Sequence, residues 1–98
     1  MNLTKTQQTF LRSKVHHLKP VVWVSQNGIT ESVTAEIETA LDHHELIKIK
    51  LRIGNKVLRN KTIEDICRAT HSLAIRSIGN IVSIYRRNDK QAVIDLPK

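Results

Sequence analysis

Apolar residues recur along this chain with two periods, and each change of period marks a new element. Leu11, Val15 and Leu18, joined by Phe10, fall on one stripe at helical spacing. Thr4 is placed to cap that helix, and Gln7 three residues on completes a capping-box pattern. Lys5, Arg12 and Lys14 lie off the stripe and are expected to face solvent. Pro20 stops the helix and pushes Lys19 toward extended geometry. The continuous apolar run Val21-Val22-Trp23-Val24, bounded by Pro20 and a polar turn, predicts a buried central strand. Ser25-Gln26-Asn27-Gly28 follows as a loop, with Asn27-Gly28 suited to left-handed backbone angles.

Thr30 then caps a second helix with Glu31 in its first turn, where the helix dipole favours negative charge. Val33, Ile37, Ala40, Leu41 and His44 share its apolar face; Glu36, Glu38, Asp42 and Glu45 avoid it. The strict alternation Ile47-Lys48-Ile49-Lys50-Leu51-Arg52-Ile53 is the clearest strand: its apolar side meets a core while the cations line the other side. A third helix covers at least residues 60–70, with Asn55 and Asn60 both available as its cap. Leu73 to Ile78 and Ile81 to Arg86 are strands joined tightly at Gly79-Asn80. Val93-Ile94 is a candidate short extended segment in the tail. The order helix-strand-helix-strand-helix-strand-strand predicts an α/β domain, residues 1–98, with a mixed four-stranded sheet packed by helices.

Composition narrows the partners. Sixteen Lys and Arg against nine acids leave a formal charge of +7 on 98 residues. Such an excess on one small domain favours a polyanion, either nucleic acid or an anionic membrane surface. Residence in a membrane is not expected, since no apolar run approaches ~20 residues, and Met1 to Lys5 lacks the apolar stretch of a signal peptide. The single cysteine, Cys67, rules out an internal disulfide, fits a reducing cytoplasm and sits on a helical pattern as a buried, inert thiol. Phe10, Trp23 and Tyr85 are the only aromatics, which argues against recognition by base stacking.

The candidate chemistry is sparse. His16-His17 and His43-His44 are adjacent pairs; helical neighbours point about 100° apart, so neither pair chelates as a unit, and each closes a helix instead. The acids of the second helix form a solvated face, with no nucleophile or phosphate-binding loop beside them. A strand that delivers a polar loop to a helix start is a more specific feature. The free backbone N–H groups there can receive phosphate, although many such turns bind nothing. Lys19 stands about 20 Å away at the other end of that strand. Lys48, Lys50 and Arg52, spaced about 6.6 Å apart, form either a solvated sheet face or a strip matched to successive phosphates. Arg86-Arg87 either extends that surface or caps a strand end.

Four stretches stand out together: Lys19-Pro20-Val21-Val22, Asn27-Gly28-Ile29-Thr30-Glu31, His43-His44-Glu45-Leu46-Ile47-Lys48-Ile49-Lys50, and Ile78-Gly79 followed by Tyr85-Arg86. In this order and spacing they carry a resemblance, running from about Leu3 to Pro97, to the CRM domain, the chloroplast RNA splicing and ribosome maturation module, in its bacterial stand-alone YhbY-like form. The resemblance implies an RNA-binding fold similar to the C-terminal domain of bacterial initiation factor three. It also implies association with precursors of the large ribosomal subunit. The family loop is Gly-x-x-Gly, comparable to the loop with which KH domains clamp an RNA backbone; Ser25 stands here in its first position and Gly28 in its last. The resemblance carries over the loop positions Ser25, Gln26, Asn27 and Gly28, and charge and position add Lys19, Thr30, Lys48, Lys50 and Arg86. The resulting expectation is a cytoplasmic, monomeric RNA-binding protein that is not an enzyme and uses no metal or cofactor. A general DNA- or RNA-binding protein without a ribosomal role is the alternative.

Overall fold

The computed structural model describes residues 2–98. Seven elements follow one another as α1 (Lys5–Val15), β1 (Pro20–Ser25), α2 (Glu31–His44), β2 (Leu46–Arg52), α3 (Lys56–Thr70), β3 (Leu73–Ile78) and β4 (Ile81–Tyr85). The strands form one sheet in the order β1-β2-β4-β3. β1 and β2 run parallel across the α2 crossover, and β4 lies antiparallel between β2 and β3. The expected α/β architecture is therefore the observed one.

Local signals set the helix starts. The Thr4 hydroxyl accepts the Gln7 N–H while the Gln7 side chain accepts the Thr4 N–H, a complete capping box. Thr30 accepts from Val33, and Asn55, not Asn60, caps α3 by accepting from Leu58. α1 ends at Val15, so Leu18 lies beyond it but still packs on the same apolar cluster. The Gly79 turn has φ +57 and closes the β3–β4 hairpin.

The two faces of the sheet are finished differently. One is covered by α2 and α3, whose Ile37, Leu41 and Ile66 pack on Val22, Val24, Ile47, Ile49, Leu51, Val82 and Ile84. On the other, α1 and the tail bury only one end: Leu11 and Val15 pack with Leu46, Ile75 and Tyr85, edged by Ile94 and Leu96. The rest of that second face is uncovered, because neither α1 nor the tail reaches the C-terminal ends of β1 and β2.

Three expectations are corrected here. β1 is an edge strand and not a central one: Val22 and Val24 are buried, but Trp23 is 49% exposed. Val93-Ile94 adds no strand. Instead, the Glu45 carboxylate accepts N–H groups of Asn88 (2.6 Å), Val93 (2.8 Å) and Ile94 (2.5 Å), which ties down the tail. Glu45 is thus fully buried, not part of a solvated face. Its φ of +63 with ψ of −42 is a sparsely populated conformation that costs about 1–3 kcal/mol, which charge-assisted hydrogen bonds offset.

Candidate nucleic-acid interface

The parallel register of β1 and β2 builds the site. Pro20 pairs with Lys48, Trp23 with Lys50 and Ser25 with Arg52. Alternation along β2 sends Ile47, Ile49 and Leu51 into the core, which leaves Lys48, Lys50 and Arg52 on the uncovered face. The strip therefore runs along β2 toward the loop, and its last cation lies beside the residue where the loop begins. Lys48 and Lys50 are half-buried along their stems; Arg52 is exposed.

The loop is a tight turn in which the Gly28 N–H donates to the Ser25 carbonyl at 3.0 Å. Gly28 has φ +78, as its place after Asn27 predicts, whereas Ser25 is not in the left-handed region. Ser25, Gln26, Asn27 and Thr30 are exposed. The Thr30 hydroxyl oxygen accepts the Val33 N–H, which holds the helix start in position and leaves its own O–H free to donate.

Lys19 sits at the far end of β1. With Lys14, Val21, Leu46, Lys48 and Ile94 it lines a groove of about 470 Å³ between the end of α1 and the sheet. Lys48 also borders a smaller groove of about 180 Å³ with Arg76, Ile78, Ile81 and Ser83. Lys48 thus stands between two hollows of one cationic surface. Arg76, which sequence reasoning passed over, belongs to it: the β3–β4 register pairs Arg76 with Ser83, and Ser83 with Lys48 through β2. Its signal was its isolation, as the only charged residue in β3.

Arg86 does not join this surface. Its guanidinium donates to Glu38 at 2.6 Å, to the Thr70 carbonyl at 2.8 Å and to Asp42 at 2.9 Å, and its side chain is only 17% exposed. Arg86 is a lock between β4 and the two helices, and Glu38 and Asp42 are its partners, not a free acidic face. His43 lies in the last turn of α2 and its ring bonds the Thr39 carbonyl at 2.8 Å, while His44 is exposed beside the larger groove and off the apolar face. Cys67 is half-buried on α3; burial raises its pKa more than a Ser72 hydrogen bond lowers it, which keeps the thiol protonated at neutral pH. Among the described residues no group of His, Cys, Asp or Glu is arranged to hold a metal ion, and no helix is long and apolar enough to cross a membrane.

The cations of β2 and the Ser25–Gly28 turn thus adjoin on one side of the sheet. Residues 3–86 match the family model of the CRS1 / YhbY (CRM) domain. The chain belongs to this family. It is 43% identical over 96 residues to an RNA-binding protein of Haemophilus influenzae, covering 98% of this chain and 96% of that one. It is also 43% identical over 90 residues to the probable RNA-binding protein PA4753 of Pseudomonas aeruginosa, covering 92% and 86%. The solution structure of SAV1595 from Staphylococcus aureus superposes with a TM-score of 0.82 at 31% identity, over 98% of this CRM chain and all of the other.

Proposed function

We propose that this CRM protein binds RNA on the uncovered sheet face, with Lys48, Lys50 and Arg52 neutralising backbone phosphates and the Ser25–Gly28 loop receiving the next one. The observation that carries this reading is the β1–β2 register, which sets the cationic strip beside the strand that ends in the loop. Lys19 extends the same surface at the far end of β1. Phosphate contacts of this kind position a protein without reading bases, so modest sequence preference follows. Arg86 is left out of the contact set because its donors already serve Glu38, Asp42 and Thr70.

The cellular RNA we infer is ribosomal, in precursors of the large subunit, with the protein acting as an assembly factor and not as an enzyme. Family membership and the charge of +7 support this. Sucrose-gradient sedimentation of a lysate at low salt tests it. The protein is expected in fractions of immature large subunits, in excess over mature ribosomes. Finding it only at the top of the gradient overturns the ribosomal assignment, and a fair share there bound to other RNA would favour a general nucleic-acid chaperone.

A further inference from the structure

From the placement of Trp23 we infer that the uncovered face also holds an unpaired nucleobase, stacked on the Trp23 indole, while Lys50 and Arg52 take the phosphates on either side of it. The inference rests on the RNA-binding reading and adds the class of RNA: single-stranded or looped-out, not duplex.

Trp23 is 49% exposed on an edge strand, although an indole is costly to leave in water. Its neighbours Val22 and Val24 are fully committed to the core, so the fold does not need Trp23 there. Its ladder partner is Lys50, and Ser25 and Arg52 form the next row toward the loop. Adjacent strands are about 4.8 Å apart, which sets an ammonium within one nucleotide's reach of the ring. Across the sheet the same row continues through Ile81 to Ile78, itself 60% exposed. The row is thus an apolar ledge with a lysine in it, bordered by Lys48, Arg52 and Arg76.

Charge decides what occupies such a ledge. None of the four strands contains an Asp or Glu, so every ionised side chain that the sheet itself contributes to this face is positive. A protein partner would have to bring an acidic ring around an apolar centre. An unpaired nucleotide carries that combination in one unit: an apolar base face with phosphates beside it. Base stacking on an aromatic platform is tolerant of sequence, which agrees with a surface that offers few groups for reading base edges. Scarcity of aromatics had argued against stacking; position reverses that argument, because the one tryptophan stands on the one open face.

Trp23 is the only tryptophan, so its fluorescence reports on this site alone. The probe is single-stranded oligoadenylate, compared with the same strand annealed to oligouridylate and with inorganic polyphosphate, which has charge and no base. Binding is followed separately by anisotropy of labelled RNA. The single strand is expected to quench Trp23 strongly as it saturates, with little quenching by duplex or polyphosphate. Trp23→Ala should weaken single-strand binding about tenfold, with the salt slope unchanged, and Trp23→Phe should recover most of the loss. Retained folding of both variants is checked by circular dichroism.

Saturable single-strand binding without quenching, or Trp23→Ala binding as tightly as wild type, overturns the stacking and leaves the phosphate grip intact. Equal quenching by the duplex overturns the restriction to unpaired bases. A concentration-dependent dimer that disappears in Trp23→Ala assigns the ledge to self-association instead. No binding of either RNA removes the RNA-binding reading itself, and the stacking with it.

Discussion

The two faces of the sheet meet their cations in opposite ways. On the covered face, α2 carries four acids and no Lys or Arg, and Arg86 at the end of β4 is captured by two of them. On the uncovered face, Lys48, Lys50, Arg52 and Arg76 stand on strands with no acid at all. Arg86 and Lys50 look alike in sequence, both cations on strand patterns in a basic protein. What separates them is the charge packed opposite. A guanidinium with fixed carboxylates and a carbonyl has its donors occupied and helps hold the fold, whereas ammonium groups facing only water and each other raise the local potential and attract an anion.

The sharpest break of this comparison is Arg86→Ala. It leaves Glu38 without its counter-ion and removes a donor from the Thr70 carbonyl in a partly buried setting. Breaking such a pair costs about 2 kcal/mol, below the range for buried pairs because both Glu38 and Asp42 are more than a third exposed. For a domain of this size that lowers the melting temperature by on the order of 10 °C. RNA affinity, measured well below that temperature, should stay within about twofold of wild type. A small thermal change with a large loss of affinity would move Arg86 to the RNA and collapse the distinction between the faces.

The reverse pattern is expected for Lys48→Ala combined with Lys50→Ala. Affinity for single-stranded RNA should fall about tenfold or more, ~1.4 kcal/mol. The log–log salt slope should flatten by roughly 1 to 1.5 units, since each of the two phosphate contacts contributes about 0.7. Stability should fall by less than in Arg86→Ala, because no carboxylate loses a partner and only the packing of the two half-buried stems is lost. An unchanged slope in a salt titration would make the strip a solvated surface and nothing more.

Legibility in the sequence follows the range of each interaction. Thr4 with Gln7, Thr30 with Val33 and the Gly79 turn are settled within four residues, so their signals are complete in a short window. The β2 alternation is also local, and it gave both the core face and the cationic strip. Position in the sheet is not local. Val21 to Val24 has the hydrophobicity of a central strand, but only the β1-β2-β4-β3 order makes it an edge and exposes Trp23. Arg86 meets Glu38 across 48 residues, and Glu45 reaches the tail across 43 to 49. No pattern of residue types specifies pairings at that distance, and these are the places where expectation and structure part. The loop positions were legible as a turn, while their closeness to Arg52 needed the parallel register.

The smallest expected effect tests whether the loop belongs with the open face by shape or by chemistry. Ser25 occupies the first loop position, where the family pattern has glycine, yet its backbone is outside the left-handed region. Nothing in the turn's conformation therefore calls for glycine at Ser25, in contrast to Gly28 with its φ of +78. What glycine would supply at this position is closeness, letting phosphate approach the backbone without a Cβ in the way. Ser25→Gly is thus expected to cost about 0.5–1 kcal/mol of stability, mainly through the greater freedom of the unfolded chain. RNA affinity should stay unchanged or tighten by up to about threefold. Paired urea denaturation and RNA titration of the one variant read both numbers. Ser25 is exposed and adjoins Arg52, so its hydroxyl is also placed to donate to a phosphate that Arg52 holds. A loss of affinity beyond about tenfold would establish that second role: the hydroxyl would then replace the amide contact that close backbone approach gives, and the loop would act on RNA through its side chain as the strip does.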